Sequence, residues 1–252
     1  MIDVHAHFAG EGYVFPEEWE KIKAAGVKNV ILAGDTVEHT RVHAAFCATH
    51  EGAYFAAGVH PSELKDFGTQ TLSALKTLCK SEKCVAVGEI GLDYHYPDPD
   101  KTMQERAFRA QILFAEELAL PVQIHSRDAY FDTVRILNEL RDHLKRGFLL
   151  HCYSYGAEHI EEFVTLGAYF SFGGVTCFKN AKNVCASVVA CPLERILSET
   201  DSPYLSPFRG EKNSPANIPV IVKKLAEIKG IPVTEMQAQI GANAKALFPK
   251  LK

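Results

Sequence analysis

Histidine side chains recur in this sequence at the ends of short apolar runs. Five of the eleven histidines stand at such ends, whereas the other six lie in the stretches between the runs. Imidazole and carboxylate groups are common protein ligands of divalent metals and common proton carriers in hydrolysis. The grouping predicts a metal-dependent hydrolytic site. The five histidines are His5, His7, His60, His125 and His151.

The first run carries two of these histidines at alternate positions, within Asp3-Val4-His5-Ala6-His7. On a β-strand, residues i and i+2 point to the same side. His5 and His7 therefore project together, one step apart in height, and can bind one divalent ion. Asp3 points the same way and one step deeper, where it could ligate the ion or orient a histidine from behind.

Glu89 is expected at the end of a central buried strand. A carboxylate close to an apolar core is costly unless positive charge pairs with it. Two metal ions about 3.5–4 Å apart, bridged by Glu89, would supply that charge. His125 and His151 then provide nitrogen ligands for the second ion, while Asp201 is a ligand of the first ion and the base for the attacking water. A single buried histidine is usually structural, but the pair His5 and His7 together with four more such groups at separate strand ends favours metal binding.

Three further side chains have two open interpretations each. His60 is a catalytic candidate that contacts substrate or metal-bound water, but it precedes a proline and could instead only shape a turn. Arg127 could bind a substrate phosphate or could pair with Asp128 or Asp132. Arg209 follows the last predicted strand, where loops of α/β barrels often bind phosphate, although short charged loops are commonly just solvated.

Eight β-rich apolar runs must position these groups. Most are continuously apolar, as expected for parallel strands buried on both faces. No Gly-x-Gly-x-x-Gly follows the first run, which counts against an open dinucleotide-binding sheet. The predicted strands are Ile2–His7, Val27–Ala33, Gly52–Val59, Cys84–Ile90, Pro121–His125, Gly147–His151, Ala168–Phe172 and Arg195–Ser198.

Longer amphipathic stretches lie between the predicted strands and indicate helices. Thr234 with Gln237 fits a capping box at a helix start, and Gly230 fits a helix stop before it. Eight strands with long crossovers predict an α/β fold, namely a parallel (β/α)8 TIM barrel. We expect it to span residues 1–252 as a single domain. An open doubly wound sheet is the alternative. The predicted helices are Thr102–Ala119, Tyr130–Arg141, Ala157–Leu166, Ala181–Val189, Pro219–Lys229 and Thr234–Phe248.

Composition narrows the class of protein. The 252 residues are 47% hydrophobic and 23% charged, so we expect a sizeable core. The net charge is −4, which does not fit a strongly basic nucleic-acid binder. The seven cysteines include no Cys-x-x-Cys pair, and the chain opens on a strand pattern rather than a signal peptide. No apolar run approaches the roughly 20 residues of a membrane helix. We therefore expect a cytoplasmic protein with free thiols and no membrane contact.

Six ordered motifs resemble those of one known family, the TatD family of metal-dependent deoxyribonucleases. The resemblance runs from Asp3 to the segment Asn243-Ala244, and the order of the motifs makes it specific. The motifs are Asp3-x-His5-x-His7, Gly58-Val59-His60-Pro61, Gly88-Glu89-Ile90-Gly91-Leu92-Asp93, Pro121-Val122-x-Ile124-His125-x-Arg127-x-Ala129, His151-Cys152 and Glu199-Thr200-Asp201-Ser202-Pro203.

The resemblance implies a TIM barrel of the amidohydrolase superfamily that holds two metal ions and hydrolyses DNA phosphodiesters, often from the 3′ end. By residue matching, Glu89, His125, His151 and Asp201 take the family's metal positions. His5 and His7 complete the first site, and His60 matches a position associated with the active site. Many relatives in the wider superfamily bridge their metals with a carbamylated lysine, whereas this chain offers Glu89 on the fourth strand.

Three positions depart from the family pattern. The family usually has Ser, Thr or Ala in place of Val4, Asp or Asn in place of Ala9, and often Glu in place of Ser214. None of these positions is a predicted metal ligand, but the last two change polar groups near the barrel mouth. Several aromatic residues could line that mouth and stack on a base. They are Phe8, Tyr94, Tyr153, Tyr155 and Phe178.

The function predicted from these observations is a metal-dependent phosphodiester hydrolase. It is a 3′–5′ exodeoxyribonuclease that uses two Mg²⁺, Mn²⁺ or Zn²⁺ ions, acts on single-stranded DNA or 3′ ends, and is a monomer. Glu89, Asp201 and His60 form the catalytic set, with Arg127 and Arg209 as substrate-binding candidates. The alternatives are a metal-dependent hydrolase of a small-molecule ester or amide, and a non-catalytic scaffold on a decayed barrel.

Overall fold

A computed structural model of the protein describes residues 1–7 and 15–252, with the backbone alone at residues 15 and 16. Its strands form one parallel sheet in which spatial order follows chain order. Helices alternate with the strands, so the predicted (β/α)8 barrel is confirmed. The strands are Ile2–Ala6 (β1), Asn29–Ala33 (β2), Ala53–Ala56 (β3), Cys84–Asp93 (β4), Val122–Arg127 (β5), Phe148–Leu150 (β6), Ala168–Phe172 (β7) and Ile196–Ser198 (β8).

The helices pack around the sheet and turn their apolar faces toward it. Several begin and end on the expected local chemistry. Asp100 accepts a hydrogen bond from the Met103 amide at a helix start, and Gly230 ends another helix with φ at 67°. The helices are Phe15–Ala24 (α1), Val37–Thr49 (α2), Thr69–Leu78 (α3), Lys101–Glu117 (α4), Tyr130–Glu139 (α5), Ile160–Thr165 (α6), Lys182–Ala190 (α7), Ile218–Lys229 (α8) and Val233–Leu247 (α9).

The barrel is joined into a ring where β8 meets β1. The His7 amide donates to the Ser202 carbonyl at 2.7 Å, and the Asp201 amide donates to the His5 carbonyl at 3.0 Å. The Ser198 hydroxyl adds a bond of 2.8 Å to the Ile2 carbonyl. These bonds bring the start of the chain and the segment after β8 to the same edge of the barrel.

Strand β4 is longer than the sequence indicated and ends at Asp93 instead of Ile90. Its last residues stay paired with β5, from Ile90 opposite Ile124 to Asp93 opposite Arg127. Gly91 makes the pairing possible, because its φ is +143° and a Cβ there would lie 1.9 Å from the His125 carbonyl oxygen. The extension carries the Asp93 carboxylate to the barrel mouth.

Two predictions about helices were wrong or incomplete. The last helix begins after Pro232, so Thr234 lies inside its first turn and does not cap it. Helices α1 to α3 were not predicted. In α2 the cause is visible, because its buried residues are Thr40, His43 and Cys47 rather than aliphatic side chains.

The core lies in two layers, inside the barrel and between the strands and the helices, and is rich in fully buried phenylalanines. All seven cysteines lie in the described part of the chain and are free thiols, as expected. Among the described helices, none is long and apolar enough to cross a membrane.

Candidate metal centre

The Glu89 carboxylate is the centre of a cluster at the carboxyl ends of the strands. It is 2% exposed. One oxygen, Oε1, lies 2.7 Å from Nδ1 of His125 and 2.8 Å from Nε2 of His151. The other oxygen, Oε2, lies 3.2 Å from Nε2 of His5 and 3.3 Å from Nε2 of His7. Each carboxylate oxygen therefore faces its own pair of imidazole nitrogens.

Asp201 lies beside the His5–His7 pair. Its Oδ1 is 3.5 Å from Nε2 of His7 and 3.9 Å from Nε2 of His5. The Asp201 backbone has φ at 54°, and its amide is bonded to the His5 carbonyl across the join of β8 and β1. The strand join thus determines where this carboxylate stands.

The outer nitrogens of two imidazoles are already committed to oxygen acceptors. Nδ1 of His5 lies 3.0 Å from Oε1 of Gln123, whose amide nitrogen donates to the Val4 carbonyl. Nε2 of His125 lies 3.1 Å from Oδ2 of Asp93. Because an amide oxygen and an ionised carboxylate only accept, the proton of each ring is on the outer nitrogen. In the neutral form of both rings, the inner nitrogens then point lone pairs at Glu89.

Glu199 lies behind His151 as an ion-pair partner, but beyond hydrogen-bond distance. Its Oε2 accepts a 2.6 Å bond from the Ser171 hydroxyl and lies 3.6 Å from Nδ1 of His151. Oε1 of Glu199 and Nδ1 of His151 are buried and have no hydrogen-bond partner among the described residues. The His151 ring also stacks on His5 with ring centroids 3.9 Å apart.

These contacts fit bound cations. The inner nitrogens approach one another at 3.2 Å, both between His5 and His7 and between His125 and His151. Lone pairs that face each other and a carboxylate repel unless a proton or a cation lies between them. Imidazole and carboxylate donors with outer acceptors are the usual surroundings of transition-metal ions.

Two groups of side chains offer ligand atoms close enough to share an ion. One group contains His5, His7 and Asp201, and the other contains Glu89, His125 and His151. All six residues predicted as ligands are therefore brought together. Two further groups involve side chains that were not predicted as ligands. They are His5 with His151 and Glu199, and His60 with Asp93 and His125.

The charges in the centre influence one another strongly. Burial raises the pKa of Glu89, but the surrounding imidazoles, led by His151, outweigh burial and hold that pKa well below its usual range. Burial likewise lowers the pKa of His7, yet hydrogen bonds to Asp201 and Glu89 raise it to about 10. The pKa of His151 is also raised, because Glu89 and Glu199 outweigh its burial. The carboxylates thus create a field that attracts positive charge.

His60 stands next to the same carboxylate with its proton directed inward. The Ser62 amide donates to Nδ1 of His60 at 3.1 Å, so Nδ1 is an acceptor and the proton is on Nε2. That Nε2 lies 3.7 Å from Oε1 of Glu89. Burial lowers the pKa of His60 to about 4. A neutral His60 can therefore donate a hydrogen bond from Nε2, and its contact with substrate or metal-bound water stays a prediction.

Arg127 is exposed and has no carboxylate within 4.0 Å among the described residues. The two candidate partners are occupied elsewhere, Asp128 by His95 and Asp132 by Arg135. The predicted pairing with either aspartate is therefore not found. The guanidinium carbon lies 5.9 Å from the centre of the Tyr96 ring.

Arg209 lies in the loop that follows β8 and is exposed. Within the described ranges it makes no ion pair. Its predicted contact with substrate stays a prediction.

Asp3 is absent from the groups of possible ligands among the described residues, and its carboxylate contacts backbone amides and a hydroxyl rather than an imidazole ring. Its Oδ1 accepts from the amides of His5 at 3.2 Å and Thr200 at 3.0 Å, so it joins β1 to the segment after β8. Burial raises the Asp3 pKa to about 8, against the opposing effect of hydrogen bonds from Thr200 and His5.

Asp93, Glu199 and Gln123 are the supporting residues that the sequence did not assign. The sequence offered one indication of a supporting role for Asp93 and Glu199, because both stand in motifs that contain predicted ligands. Gln123 could not be identified, because its role depends on which neighbour faces its amide oxygen.

The three departures from the family pattern lie in different surroundings. Val4 is fully buried. Ser214 accepts a bond from the Ala216 amide and donates to a carboxylate oxygen of Glu18, so it is part of the loop's own structure. Ala9 and Phe8 lie outside the described residues.

Curated relatives match nearly the whole chain. An uncharacterized metal-dependent hydrolase of Bacillus subtilis is 38% identical over 98% of this chain and 98% of its own length. A 3′–5′ ssDNA/RNA exonuclease TatD of Cronobacter sakazakii is 33% identical over 91% of this chain and 90% of its own length.

Solved structures agree with the sequence matches. The crystal structure of a TatD homologue from Escherichia coli K12 superposes with a TM-score of 0.92, with 28% identity over 98% of this chain and 97% of that chain. The model of the TatD related DNase family matches residues 2–249. With a match of that extent, the chain belongs to the family of TatD-related DNases.

Proposed function

We propose that the protein is a two-metal phosphodiester hydrolase that removes nucleotides from the 3′ end of single-stranded DNA. The observation that carries the proposal is the Glu89 carboxylate, whose two oxygens each face a pair of imidazole nitrogens at 2.7–3.3 Å. A single carboxylate with two such faces suits a bridge between two cations. His5, His7 and Asp201 would hold one ion, and His125 and His151 the other.

Divalent ions bound there would supply Lewis-acid stabilisation of phosphoryl oxygens and would lower the pKa of water. The mixed set of imidazoles and carboxylates suits Zn²⁺ or Mn²⁺ and also accommodates Mg²⁺. The chain's own groups perform the remaining tasks, which are positioning, proton transfer and charge stabilisation.

Asp201 is the general base of the proposed reaction. Its side chain is 15% exposed and lies at the open edge of the cluster, where water can reach it. Burial raises the Asp201 pKa, but a hydrogen bond with His7 and the nearby imidazoles outweigh burial, so the group is a carboxylate at neutral pH. It can accept the proton of the attacking water and hold that water in line with the phosphorus.

His60 and the two mouth arginines interact with the phosphate. Because the proton of His60 is on Nε2 and points inward, this ring can donate a hydrogen bond to a phosphoryl oxygen. Arg127 and Arg209 can neutralise the charge of the flanking phosphates. None of the three needs to change its protonation state for this purpose.

DNA is favoured over a small ester or amide by membership of the DNase family and by relatives named as 3′–5′ ssDNA/RNA exonucleases at 31–33% identity. Relatives named only as metal-dependent hydrolases leave the bond unspecified, so the assay must include both substrate classes.

The test is digestion of end-labelled single-stranded DNA by metal-stripped protein, with Mg²⁺, Mn²⁺ or Zn²⁺ added back. A 5′ label should yield a ladder that shortens from the 3′ end, whereas a 3′ label should be released at once as a mononucleotide. Glu89→Ala should be inactive, and Glu117→Ala, which removes an exposed carboxylate on α4, should match the wild type. Turnover of a panel of small esters or amides without any DNA cleavage would refute the nuclease assignment.

A further inference from the structure

The exposed aromatic side chains of the described residues are confined to one end of the barrel. Single exposed apolar side chains are common and carry no information by themselves. Here, however, all of the exposed rings follow β4, β5 or β8 and therefore stand at the mouth that holds the metal centre. We call these four residues the aromatic rim. They are Tyr96, Phe131, Tyr204 and Phe208, with exposures of 61%, 83%, 62% and 43%.

Tyr204 stands next to one of the two ligand groups. Its ring centre lies 6.4 Å from that of His7, and the rings are inclined at 64°. The Tyr204 amide donates to the Asp201 carbonyl at 2.9 Å, which fixes the backbone beside the proposed base. More than half of the ring still faces solvent. A flat group held at the His5, His7 and Asp201 side could lie on this face.

Tyr96 stands on the opposite side of the mouth, near the second ligand group. The loop that carries it is anchored by Asp93, whose Oδ1 accepts from the His95 amide at 2.9 Å while Oδ2 faces His125 at 3.1 Å. The Arg127 guanidinium lies over the Tyr96 ring at 5.9 Å. In a ring of eight strands, β4 and β5 lie half a turn from β8 and β1. Tyr96 and Tyr204 therefore flank the centre from two sides.

We propose that Tyr96 and Tyr204 are stacking platforms for the unpaired bases on either side of the scissile phosphodiester, with Arg127 neutralising a phosphate next to the Tyr96 base. The inference rests on the proposed function, and it assigns residues that select single strands. A base inside a duplex is stacked on its neighbours and has no free face for a tyrosine. The chain's net charge of −4 gives no general attraction to nucleic acid, so local contacts must contribute to binding.

The experiment compares two 5′-fluorescein oligodeoxynucleotides with the same backbone, one with all bases and one abasic near its 3′ end. Both kcat/KM and Kd, the latter by fluorescence anisotropy, are measured on the metal-loaded protein. Aromatic stacking is worth about 1–3 kcal/mol per base, which corresponds to a preference for the intact oligomer of about 5- to 150-fold per stacked base.

Tyr96→Ala and Tyr204→Ala should each reduce that preference by about 5-fold or more, and the double variant should abolish it. Tyr204→Phe keeps the ring and should keep the preference. Leu113→Ala, which shortens an exposed apolar side chain on α4, should behave as the wild type. A general loss of folding would lower activity on both oligomers alike and would leave their ratio unchanged.

An unaltered ratio in the double variant would overturn the inference, as would equal handling of both oligomers by the wild type. If the wild type cleaves both equally, the proposed nuclease function stands and only the stacking is refuted. If it cleaves neither but binds the intact oligomer more tightly, and loses that preference in the tyrosine variants, the stacking stands and the nuclease function fails.

Discussion

Glu89→Gln removes one negative charge from the middle of the cluster and changes almost nothing in size. The four nitrogen contacts of the carboxylate, at 2.7–3.3 Å, would become contacts to a neutral amide, half of which is a donor. Each proposed ion loses its shared anionic ligand. Loss of a group that only supports a ligand typically weakens metal binding 10–100-fold, so loss of Glu89 should weaken it by about 100-fold or more.

The effect can be measured as a shift in melting temperature. At free metal about 100 times the wild-type Kd, binding stabilises the folded state by about 2.7 kcal/mol, which is about 5–10 °C for a chain of this length. With a Kd weakened 100-fold, the same metal concentration stabilises the variant by about 0.4 kcal/mol, or about 1 °C. We also expect kcat/KM to fall by about 10³-fold or more.

Each variant is melted with and without metal, so the effect of the substitution on the metal-free fold cancels. Glu117→Gln is the matched control, since it makes the same chemical change at a half-exposed position paired with Lys76. A Glu89→Gln protein that kept the full wild-type gain in melting temperature, or more than a tenth of wild-type activity, would refute the bridging role of Glu89.

Three further predictions test the surroundings of the centre. Asp201→Asn should lower kcat by about 10²–10⁴-fold, while the protein keeps the ion held by His125 and His151. Turnover and metal content are measured together, and activity within tenfold of wild type would contradict the role of Asp201 as base. Glu199→Gln should weaken metal binding about 10–100-fold by removing the negative charge behind His151, and an unchanged metal-titration curve would exclude that support. His43, whose pKa is lowered to about 3 chiefly by burial, takes up a proton in the unfolded chain below about pH 6.5 but not in the folded one, so stability falls as the pH falls. Between pH 7.5 and 5 the free energy of unfolding should therefore fall by up to about 2 kcal/mol less in His43→Gln than in the wild type, measured by urea unfolding at both pH values. The same fall in both proteins would contradict this.

The parts of the fold that follow from local periodicity could be predicted from the sequence. The continuous apolar runs gave eight strands in the correct order, because parallel barrel strands are buried on both faces. Strand ends were less well defined. The extension of β4 to Asp93 depends on pairing with β5 through Gly91, which is a contact between distant parts of the chain.

The six predicted ligands converge because a parallel barrel brings every strand's carboxyl end to one mouth. That they hold metal stays a prediction. The supporting contacts could not be inferred, since they depend on side-chain direction. Gln123 faces His5 only because the register of β5 places it there, and Asp3 turns to the backbone of Thr200 instead.

The exposure of the aromatic residues could also not be predicted from the sequence. Tyr153 was expected to face the mouth but is 4% exposed and packs on Phe170, whereas Tyr96 and Tyr204 were not considered. The sequence does not distinguish a loop tyrosine whose ring is buried from one whose ring is exposed to solvent.

The join between β8 and β1 has a consequence for the synthesis of the protein. His5 and His7 precede Asp201 in the chain and are therefore synthesised before it, although the three side chains stand beside one another in the folded protein. Until then the nascent barrel lacks both its closing strand and one of the proposed ligands. The proposed ligand set of the first ion therefore cannot be complete before Asp201 has been synthesised.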